Sequence, residues 1–496
     1  MNHKIKIHNK GRVEEYDIHE GANLLEFIRE NTDGGISAPC GGNGTCGKCK
    51  VEIKDEGHVT SCLYYVSKDI ELIMPDEQEM KIMSDQYKFT KQYWVNPGKA
   101  AGLATIPYGL AIDIGTTTIA YYIVNMLFGT VVDVITKINP QSQYGADVIS
   151  RISYGKENEN GIDNLQSVLV NSINDVLEGY CKNSDLTAND FVKVSIVGNP
   201  TMLHQILAID AISIAHSPFK PVFTETKNLS PADLSININP EGDVVLLPAL
   251  SGYVGADIIA GLASIDRDKI GKTFLFIDIG TNGEMVLVTP EKTLSCATAA
   301  GPAFEGANIS NGMGAVPGAI SKFNMDSYDV VGDVEPIGIC GSGLIDVVGE
   351  LLKNDIIGMD GNISEDFVVY KSGSNTVSLT QKDLREVQLA KSSIASGVKR
   401  MLAKAGIDEN AVDNILLAGG FGNYIDIENA IKIGLLPDLP LDKYIQVGNT
   451  AGTGSVIAVK SQNFIDDMEK MIDEMEYIEL SSDPEFEMEF AMNMFF

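Results

Sequence analysis

Apolar and polar positions alternate at the start of the chain. Residues 4–8 and 13–18 alternate around Gly11, which predicts two paired strands joined by a turn. Residues 23–30 have the apolar spacing of a short amphipathic helix, with Asn23 as its N-cap. Residues 51–53 and 70–73 read as further strands. From residue 108 onward, apolar strands alternate with longer amphipathic stretches, and this pattern predicts an α/β fold.

Four cysteines lie within the first part of the chain. Cys40, Cys46, Cys49 and Cys62 have the spacing C-x5-C-x2-C-x12-C. Four thiolates can ligate the two irons of a [2Fe–2S] cluster, and plant-type ferredoxins use C-x4-C-x2-C with a distant fourth cysteine. The glycines between these cysteines let backbone amides approach the cluster sulfides. The spacing therefore predicts a [2Fe–2S] electron carrier in a β-grasp ferredoxin-like domain.

Two other uses of these cysteines fit the spacing less well. Structural zinc sites usually take their cysteines as two C-x2-C pairs, and the gap between Cys40 and Cys46 does not fit that arrangement. A disulfide framework fits poorly in a chain of 496 residues without a secretory signal. Cys181, Cys296 and Cys340 are isolated, and we expect a buried structural thiol at each position.

The charge of the chain excludes one class of partner. Asp and Glu number 68 against 37 Lys and Arg, which gives a formal net charge of −31. Nucleic acid binding needs clustered Lys and Arg, so no nucleic acid partner is expected. The charge suits solubility, or docking to a protein with a basic patch. No run of about 18 apolar residues occurs, so we expect no membrane span and a cytoplasmic location.

A short internal repeat indicates the architecture of the α/β part. Residues 111–118 (AIDIGTTT) recur as residues 276–283 (FIDIGTNG), and in each copy an apolar strand runs into Asp-Ile-Gly-Thr. Glycine lets the backbone approach a phosphate, Thr and Asn can donate to phosphate oxygens, and an Asp at a strand end can hold Mg²⁺ through water. Two such loops, one in each half of a duplicated domain, can bind a triphosphate.

A third glycine-rich element follows at residues 415–423 (ILLAGGFGN), where a strand ends in a turn that can lie against a nucleoside. The three elements in this order resemble the phosphate-1, phosphate-2 and adenosine motifs of the actin, Hsp70 and sugar-kinase superfamily. No G-x-x-x-x-G-K-[ST] motif is present, so a Walker-type site is not expected. A degenerate fold that no longer binds nucleotide is the alternative.

The combination of an iron–sulfur domain with such an ATPase domain resembles the reductive activators of corrinoid-dependent enzymes. The resemblance covers nearly the whole chain. It rests on further strings, which are residues 139–141 (NPQ), 144–147 (YGAD), 198–202 (GNPTM), 255–257 (GAD), 300–306 (AGPAFEG), 338–346 (GICGSGLID), 388–391 (QLAK) and 418–424 (AGGFGNY). The chain lacks a cysteine-rich C-terminal extension found in some relatives, so the cluster of the N-terminal domain is the one expected.

The resemblance implies an α/β fold in which a β-grasp [2Fe–2S] ferredoxin-like domain precedes a duplicated actin/Hsp70-like (ribonuclease H-like) ATPase domain. The expected boundaries are 1–80 for the ferredoxin-like domain, 81–107 for a linker, 108–275 and 276–480 for the two ATPase halves, and 481–496 for an acidic C-terminal tail. The cofactors implied are a [2Fe–2S] cluster, ATP and Mg²⁺.

The function implied is an ATP-dependent transfer of one electron from the cluster to inactive Co(II) of a corrinoid methyl-transfer protein, which restores Co(I). An upstream low-potential electron donor and a homodimer are further expectations. Other readings remain open: an ATP-driven electron donor to a non-corrinoid enzyme, a small-molecule kinase with a regulatory cluster, and a non-catalytic assembly protein.

The site residues follow from these motifs. Cys40, Cys46, Cys49 and Cys62 are the expected cluster ligands. The expected nucleotide residues are Asp113, Gly115, Thr116 and Thr117 in the first loop, Asp278, Gly280, Thr281 and Asn282 in the second, and Gly419, Gly420 and Gly422 beside the nucleoside. Asp113 and Asp278 are candidates for Mg²⁺–water contacts. Asp147 is assigned to the attacking water by position, with a helix cap as its alternative role. Glu284 is ambiguous, and His204 is expected to be a core or capping histidine rather than a cobalt ligand.

Overall fold

The structure is a computed structural model. It describes residues 2–9, 12–31, 50–54, 56–73, 89–100, 102–145, 147–280, 282–306, 308–373 and 375–496. Two compact units divide the chain. The first comprises Met1–Leu247 with Ser455–Ile465, and the second comprises Pro248–Gly454 with Asp466–Phe496.

The N-terminal part of the first unit is a five-stranded sheet with one helix. The strands are β1 (Asn2–Asn9), β2 (Arg12–His19), β3 (Lys50–Ile53), β4 (Gly57–Thr60) and β5 (Ile70–Ile73), in the order β2-β1-β5-β3-β4. The helix is α1 (Leu24–Asn31). The alternating residues Ile5, Ile7 and Leu72 place their side chains in a small core with Leu24 and Ile28. The strands and the helix predicted from the periodicity are confirmed.

A connector leads from this sheet to the larger one. Residues 89–100 lie along the end of a C-terminal helix, where Asn96 N donates to Lys460 O at 2.7 Å. Ala100 is fully buried against Met126 and Val192 of the larger sheet. The described part of this connector is therefore a packed segment.

The larger sheet of the first unit has six strands. They are β6 (Tyr108–Ile114), β7 (Thr118–Asn125), β8 (Thr130–Ile138), β9 (Phe191–Gly198), β10 (Lys227–Leu229) and β11 (Asp243–Leu246), in the order β10-β11-β9-β6-β7-β8. β6, β7 and β8 form an antiparallel meander, and β9 lies parallel to β6 with Ile114 beside Gly198. All eight residues of β9 are buried, as a central parallel strand requires.

Helices cover this sheet. They are α2 (Val148–Glu157), α3 (Gly161–Lys182), α4 (Pro200–Ile206) and α5 (Ile212–Ala215). α4 begins immediately after β9, because Asn199 caps its first turn and Pro200 occupies the first helical position, where a missing N–H costs nothing.

The second unit repeats this arrangement. Its main sheet contains β12 (Phe274–Ile279), β13 (Gly283–Val288), β14 (Thr293–Thr298), β20 (Asn414–Ala418), β21 (Tyr444–Gly448) and β22 (Met475–Tyr477), in the order β21-β20-β12-β13-β14-β22. β12–β14 form the antiparallel meander, and β20 lies parallel to β12. Smaller sheets are formed by β15 (Ala319–Asn324), β16 (Ser327–Val330) and β17 (Gly338–Ile339), and by β18 (Phe367–Ser372) and β19 (Asn375–Leu379). The shared meander and parallel strand confirm the duplicated ATPase-type fold that the internal repeat predicts.

The helices of the second unit are α6 (Ala256–Ala263), α7 (Gly341–Lys353), α8 (Gln381–Ala405), α9 (Gly419–Gly422), α10 (Ile427–Lys432) and α13 (Pro484–Met492). α11 (Thr450–Lys460) and α12 (Gln462–Asp473) contribute residues to both units. Among the described residues, no helix is long and apolar enough to span a bilayer.

The C-terminal segment packs on α8. Gln388 Nε2 donates to Met494 O at 2.8 Å, Lys391 Nζ donates to Phe495 O, and the ring of Phe496 is buried. Gln388 and Lys391 belong to the QLAK string, so this string holds the segment against the second unit. The acidic C-terminal segment is therefore packed on the second unit's helix α8 rather than extended from it.

Candidate functional site

The first predicted phosphate loop connects β6 to β7. Gly115 N donates to Thr118 O at 3.0 Å, which closes a tight turn over residues 115–117. A Cβ on Gly115 would lie 2.6 Å from the same carbonyl oxygen, so this turn excludes any larger residue. Asp113 is the next-to-last residue of β6, and its side chain is partly buried. The loop thus lies at the carboxyl end of the central parallel strands, where open α/β sheets bind their ligands.

Three side chains hold this loop from behind. Asn139 Nδ2 donates to Gly115 O at 2.8 Å, and Asn139 N donates to Thr117 O at 2.9 Å. Arg151 Nη2 donates to Thr116 O at 2.7 Å, and Asn199 Nδ2 lies 3.1 Å from Thr116 Oγ1. These three residues come from or beside the strings NPQ, YGAD and GNPTM. The strings therefore build the support of the phosphate loop.

Asp147 is the N-cap of α2. Its carboxylate accepts from Ser150 N at 2.8 Å, and Ser150 Oγ lies 3.1 Å from Asp147 N, which completes a reciprocal capping box. The structure shows Asp147 as a helix cap, which is the alternative role predicted for it. Its use with an attacking water stays a prediction.

The second predicted phosphate loop connects β12 to β13. Gly280 N donates to Asn282 O at 2.9 Å, and a Cβ on Gly280 would meet nothing closer than 3.8 Å. Thr281 lies outside the described residues. Asp278 pairs with Glu284 across the hairpin, which places two carboxylate-bearing residues opposite each other.

The third element lies beside this loop. β12 and β20 are parallel, and Asp278 is level with Ala418, the last residue of β20. Gly419 follows with φ +79°, and a Cβ there would lie 2.3 Å from Asp278 Oδ1. Only glycine allows the chain to turn so close to this carboxylate. Gly420 faces open space, and Gly422 O accepts from Gln446 Nε2 at 3.0 Å. The structure therefore brings Asp278 and the glycine-rich turn together.

Glu284 has unusual electrostatics beside the second loop. Burial raises the pKa of Glu284 well above its ordinary value, and the negative charges of Asp257 and Asp278 raise it further. Asp257 lies in the first turn of α6 and comes from the GAD string. Burial and these two neighbouring carboxylates therefore all disfavour the charged form of Glu284.

His204 is a core residue, as expected. Val222 N donates to His204 Nε2 at 3.0 Å, so this ring nitrogen carries no proton. His204 Nδ1 lies 2.6 Å from Pro200 O, which accepts the proton on that nitrogen. Burial lowers the pKa of the ring, and Phe223 stacks on it. A buried neutral imidazole with both nitrogens engaged is not available to cobalt.

The predicted cluster ligand that the structure describes is Cys62. It lies in a short 3-10 helix, Ser61–Leu63, that follows β4, and its side chain is 4% exposed. Asn23 Nδ2 donates to Cys62 O at 2.7 Å and fixes this turn to the start of α1. β3 pairs with β4 so that Lys50 is opposite Thr60, and Cys49 precedes Lys50 in the sequence. Cys40, Cys46 and Cys49 lie outside the described residues.

The other cysteines differ. Cys296 is fully buried on β14, and burial raises its pKa. Cys340 is also buried, and its Sγ lies 3.3 Å from Ile320 O. Cys181 is only partly buried at the end of α3, so the expectation of a buried thiol is wrong there. The helix ends one residue later, and its last turn reaches the surface.

Arg151 is a residue that the sequence did not reveal. Its side chain is fully buried although it lies on α2 and carries a charge. The available signal was a lone arginine in the string VISRISY, four residues after Asp147, but spacing alone gives such an arginine no partner.

Comparisons with known proteins agree with this geometry. Residues 7–72 match the 2Fe-2S iron-sulfur cluster binding domain, residues 108–269 match the RACo middle region, and residues 272–496 match the C-terminal domain of RACo, the ASKHA domain. The corrinoid activation enzyme RamQ of Eubacterium limosum is 34% identical over 418 residues, which cover 78% of this chain and 70% of the relative. This chain belongs to the RACo family.

Two further relatives extend the comparison. The [Co(II) methylated amine-specific corrinoid protein] reductase of Methanosarcina barkeri is 24% identical over 380 residues, covering 69% of this chain and 68% of the relative. The solved structure of a reductive activator for corrinoid, iron-sulfur protein has a TM-score of 0.72 at 29% identity and covers 99% of this chain and 98% of its own. The family resemblance and the fold class inferred from the sequence are confirmed. The matched domains also support the [2Fe–2S] cluster and ATP as cofactors.

Proposed function

We propose that this RACo-family protein is an ATP-dependent reductive activator, which passes one electron from its [2Fe–2S] cluster to inactive Co(II) of a corrinoid protein and so restores Co(I). One observation carries the nucleotide part of the proposal. In each unit, an Asp-Ile-Gly-Thr loop lies at the carboxyl end of the central parallel strand pair, β6–β9 in one and β12–β20 in the other. The names and similarity of the relatives support the corrinoid part.

ATP is required for an energetic reason. A plant-type [2Fe–2S] cluster has a reduction potential near −400 mV. The Co(II)/Co(I) couple of a corrinoid has a lower potential, so this electron transfer is uphill. For one electron, each deficit of about 59 mV lowers the equilibrium constant tenfold. Nucleotide binding or hydrolysis offsets this deficit when it favours a conformation that changes the axial ligation of cobalt, and closure around a nucleotide is a known switch.

We infer the following division of labour among the residues. Cys40, Cys46, Cys49 and Cys62 hold the cluster, which supplies the electron. Residues 113 and 115–117 bind phosphate in the first unit, residues 278 and 280–282 bind it in the second, and Gly419, Gly420 and Gly422 lie along the nucleoside. Asp113 and Asp278 hold Mg²⁺ through water, and Asp147 is retained for the attacking water.

The domain boundaries 1–80, 81–107, 108–275, 276–480 and 481–496 remain our proposal for the functional parts of the chain. An upstream low-potential donor, which would reload the cluster, and a homodimer belong to the same proposal. The cytoplasmic location stays a prediction of the sequence.

Anaerobic absorption spectroscopy tests the function. The reduced protein is mixed with a Co(II) corrinoid methyl-transfer protein from the same host, with and without Mg-ATP. We expect the absorption of Co(I) only with Mg-ATP. Asp278→Ala should form no Co(I) even with Mg-ATP. Asp366→Ala, which removes an exposed carboxylate of the same unit, should form Co(I) with Mg-ATP as the wild type does.

The alternatives give different results. If no Co(I) forms while the cluster is loaded and reduced, the partner is a non-corrinoid enzyme. If phosphate from ATP is transferred to a metabolite rather than to water, the protein is a kinase. If nucleotide binds without turnover and no electron is transferred, it is an assembly protein.

A further inference from the structure

Arg151 has an unusual environment for a charged side chain. It is 0% exposed, and each hydrogen bond from its guanidinium to a described residue goes to a neutral atom. The partners are Thr116 O at 2.7 Å, Gly145 O at 2.9 Å, Gln141 Oε1 at 3.4 Å and Met202 Sδ at 3.7 Å. Burial lowers its pKa to about 10, which still leaves it charged at neutral pH. A buried cation without a paired anion is costly, so its retention needs a reason.

The hydrogen bonds of the loop suggest that reason. The carbonyl oxygens of Gly115 and Thr116 both accept from side chains behind the loop, Asn139 and Arg151. In a planar trans peptide, the N–H of the next residue points opposite to the carbonyl. The N–H groups of Thr116 and Thr117 therefore point away from Asn139 and Arg151, toward the outer side of the loop. This orientation is the one that an anion needs.

The charge of Arg151 acts in the same direction. It lies one hydrogen bond behind the loop, in a region from which water is largely excluded, so its field is screened less than that of a surface arginine. Asp147 also acts on Arg151, from beyond ion-pair distance, and its carboxylate is engaged by Ser150 N. A phosphate bound at the loop would be the compensating anion that the described residues do not provide.

We propose that Arg151 is a positioning residue for the loop of residues 115–117, and that its buried charge strengthens the binding of nucleotide phosphates without touching them. The proposal rests on the nucleotide site of the proposed function and deepens it. It predicts that loss of this charge weakens the binding of ATP but not the binding of a nucleoside without phosphates.

A charge-quenching variant tests this directly. Gln141→Glu places a carboxylate next to Arg151 while the hydrogen bonds from Arg151 to the two carbonyls are kept. Gln141→Met removes the same amide, including its bond to Leu165 O at 3.0 Å, without adding charge. Lys193→Met is a further control, because it removes another buried cation of the same unit, one that lies beside Asp243 at the start of β9.

The measurement is the dissociation constant of the full-length protein for Mg-ATP and for adenosine, by calorimetry, with the thermal unfolding temperature of each variant. We expect Gln141→Glu to weaken Mg-ATP at least about fivefold while adenosine changes less than about twofold. Gln141→Met should change the dissociation constants for both ligands by the same factor, and Lys193→Met should change neither constant. Arg151→Lys keeps the charge but not the two-pronged donation, so its affinity for Mg-ATP should lie between those of the wild type and Gln141→Glu.

Equal ATP affinities for Gln141→Glu and Gln141→Met would overturn the proposal, and so would a parallel loss of ATP and adenosine binding in Gln141→Glu. If Gln141→Glu does not fold, Arg151→Lys decides. A loss of Mg-ATP affinity that exceeds the loss of adenosine affinity supports the proposal, and equal losses for the two ligands overturn it. A wild-type protein that binds ATP no better than adenosine refutes the proposed nucleotide site itself, which is a separate failure.

Discussion

Gly419→Ala is a sharp test of the nucleotide site in the second unit. Gly419 has φ +79°, where an alanine costs about 1–2 kcal/mol of conformational free energy. The new Cβ would lie 2.3 Å from Asp278 Oδ1. An ordinary contact needs at least 3.4 Å, so the turn and the carboxylate must separate by about 3.4 − 2.3 = 1.1 Å. A shift of about 1 Å at a reacting site can lower a rate about 10²-fold.

We therefore expect Gly419→Ala to lower kcat/KM for ATP hydrolysis about 10²-fold and to lower the Tm by a few degrees, since about 1 kcal/mol corresponds to roughly 2–4 °C in a unit of this size. Gly406→Ala is the matched control. Gly406 ends α8 with φ +73°, but nothing lies within 4 Å of its added Cβ. It should show the same loss of Tm with full ATPase activity.

The assay is steady-state phosphate release under anaerobic conditions, together with calorimetric unfolding. If Gly419→Ala lost no more activity than Gly406→Ala, contact between the glycine-rich turn and Asp278 would have no part in hydrolysis, and our assignment of this turn would be wrong. If both variants lost activity, backbone strain rather than the Asp278 contact would be the cause.

Three further predictions follow from individual side chains. Cys62→Ser should remove or strongly alter the EPR signal of the reduced [2Fe–2S] cluster, and an unchanged full signal would exclude Cys62 as a ligand. Because burial lowers the pKa of His204, the unfolded chain takes up a proton that the folded protein does not, so stability should fall below about pH 6.5 by up to about 1.4 kcal/mol per pH unit. His204→Gln should flatten this slope in urea unfolding between pH 5 and 7, and an unaltered slope would assign it to other groups. Burial raises the pKa of Asp346 to about 6, so the folded protein binds the proton more tightly, and its stabilising contribution is lost as pH rises from about 4 to 6. Asp346→Asn should therefore raise the Tm more at pH 8 than at pH 4, and an equal change at both values would contradict the pKa shift.

Asp346 also shows how a string acquires a role only in three dimensions. It ends the GICGSGLID string, which at the level of the sequence only supports the family resemblance. In the structure, its carboxylate accepts from Phe323 N at 3.1 Å and from Asn429 Nδ2 at 3.0 Å, so it joins β15 to α10 through α7. The string therefore contributes to packing in the second unit as well as to the family resemblance.

The local elements were accessible from the sequence because each depends on short-range physics. The alternation of residues 4–8 and 13–18 determines which face of a strand is buried, so it predicted β1 and β2. The spacing of residues 23–30 predicted α1, and Asn23 Oδ1 accepts from Leu25 N at 3.1 Å at its start. The repeated Asp-Ile-Gly-Thr strings predicted two strand-to-loop corners, and thereby the duplicated fold.

Tertiary structure decided which of the predicted residues act together. Gly419 and Asp278 are 141 positions apart in the chain, and parallel pairing of β12 with β20 brings them into contact. The lone Arg151 in the sequence pointed to no partner, because its buried state depends on carbonyls at Thr116 and Gly145 that face it only in the folded chain. Periodicity and motifs report on neighbours along the chain. The partner of a buried charge is set by packing between distant segments, and no local pattern contains it.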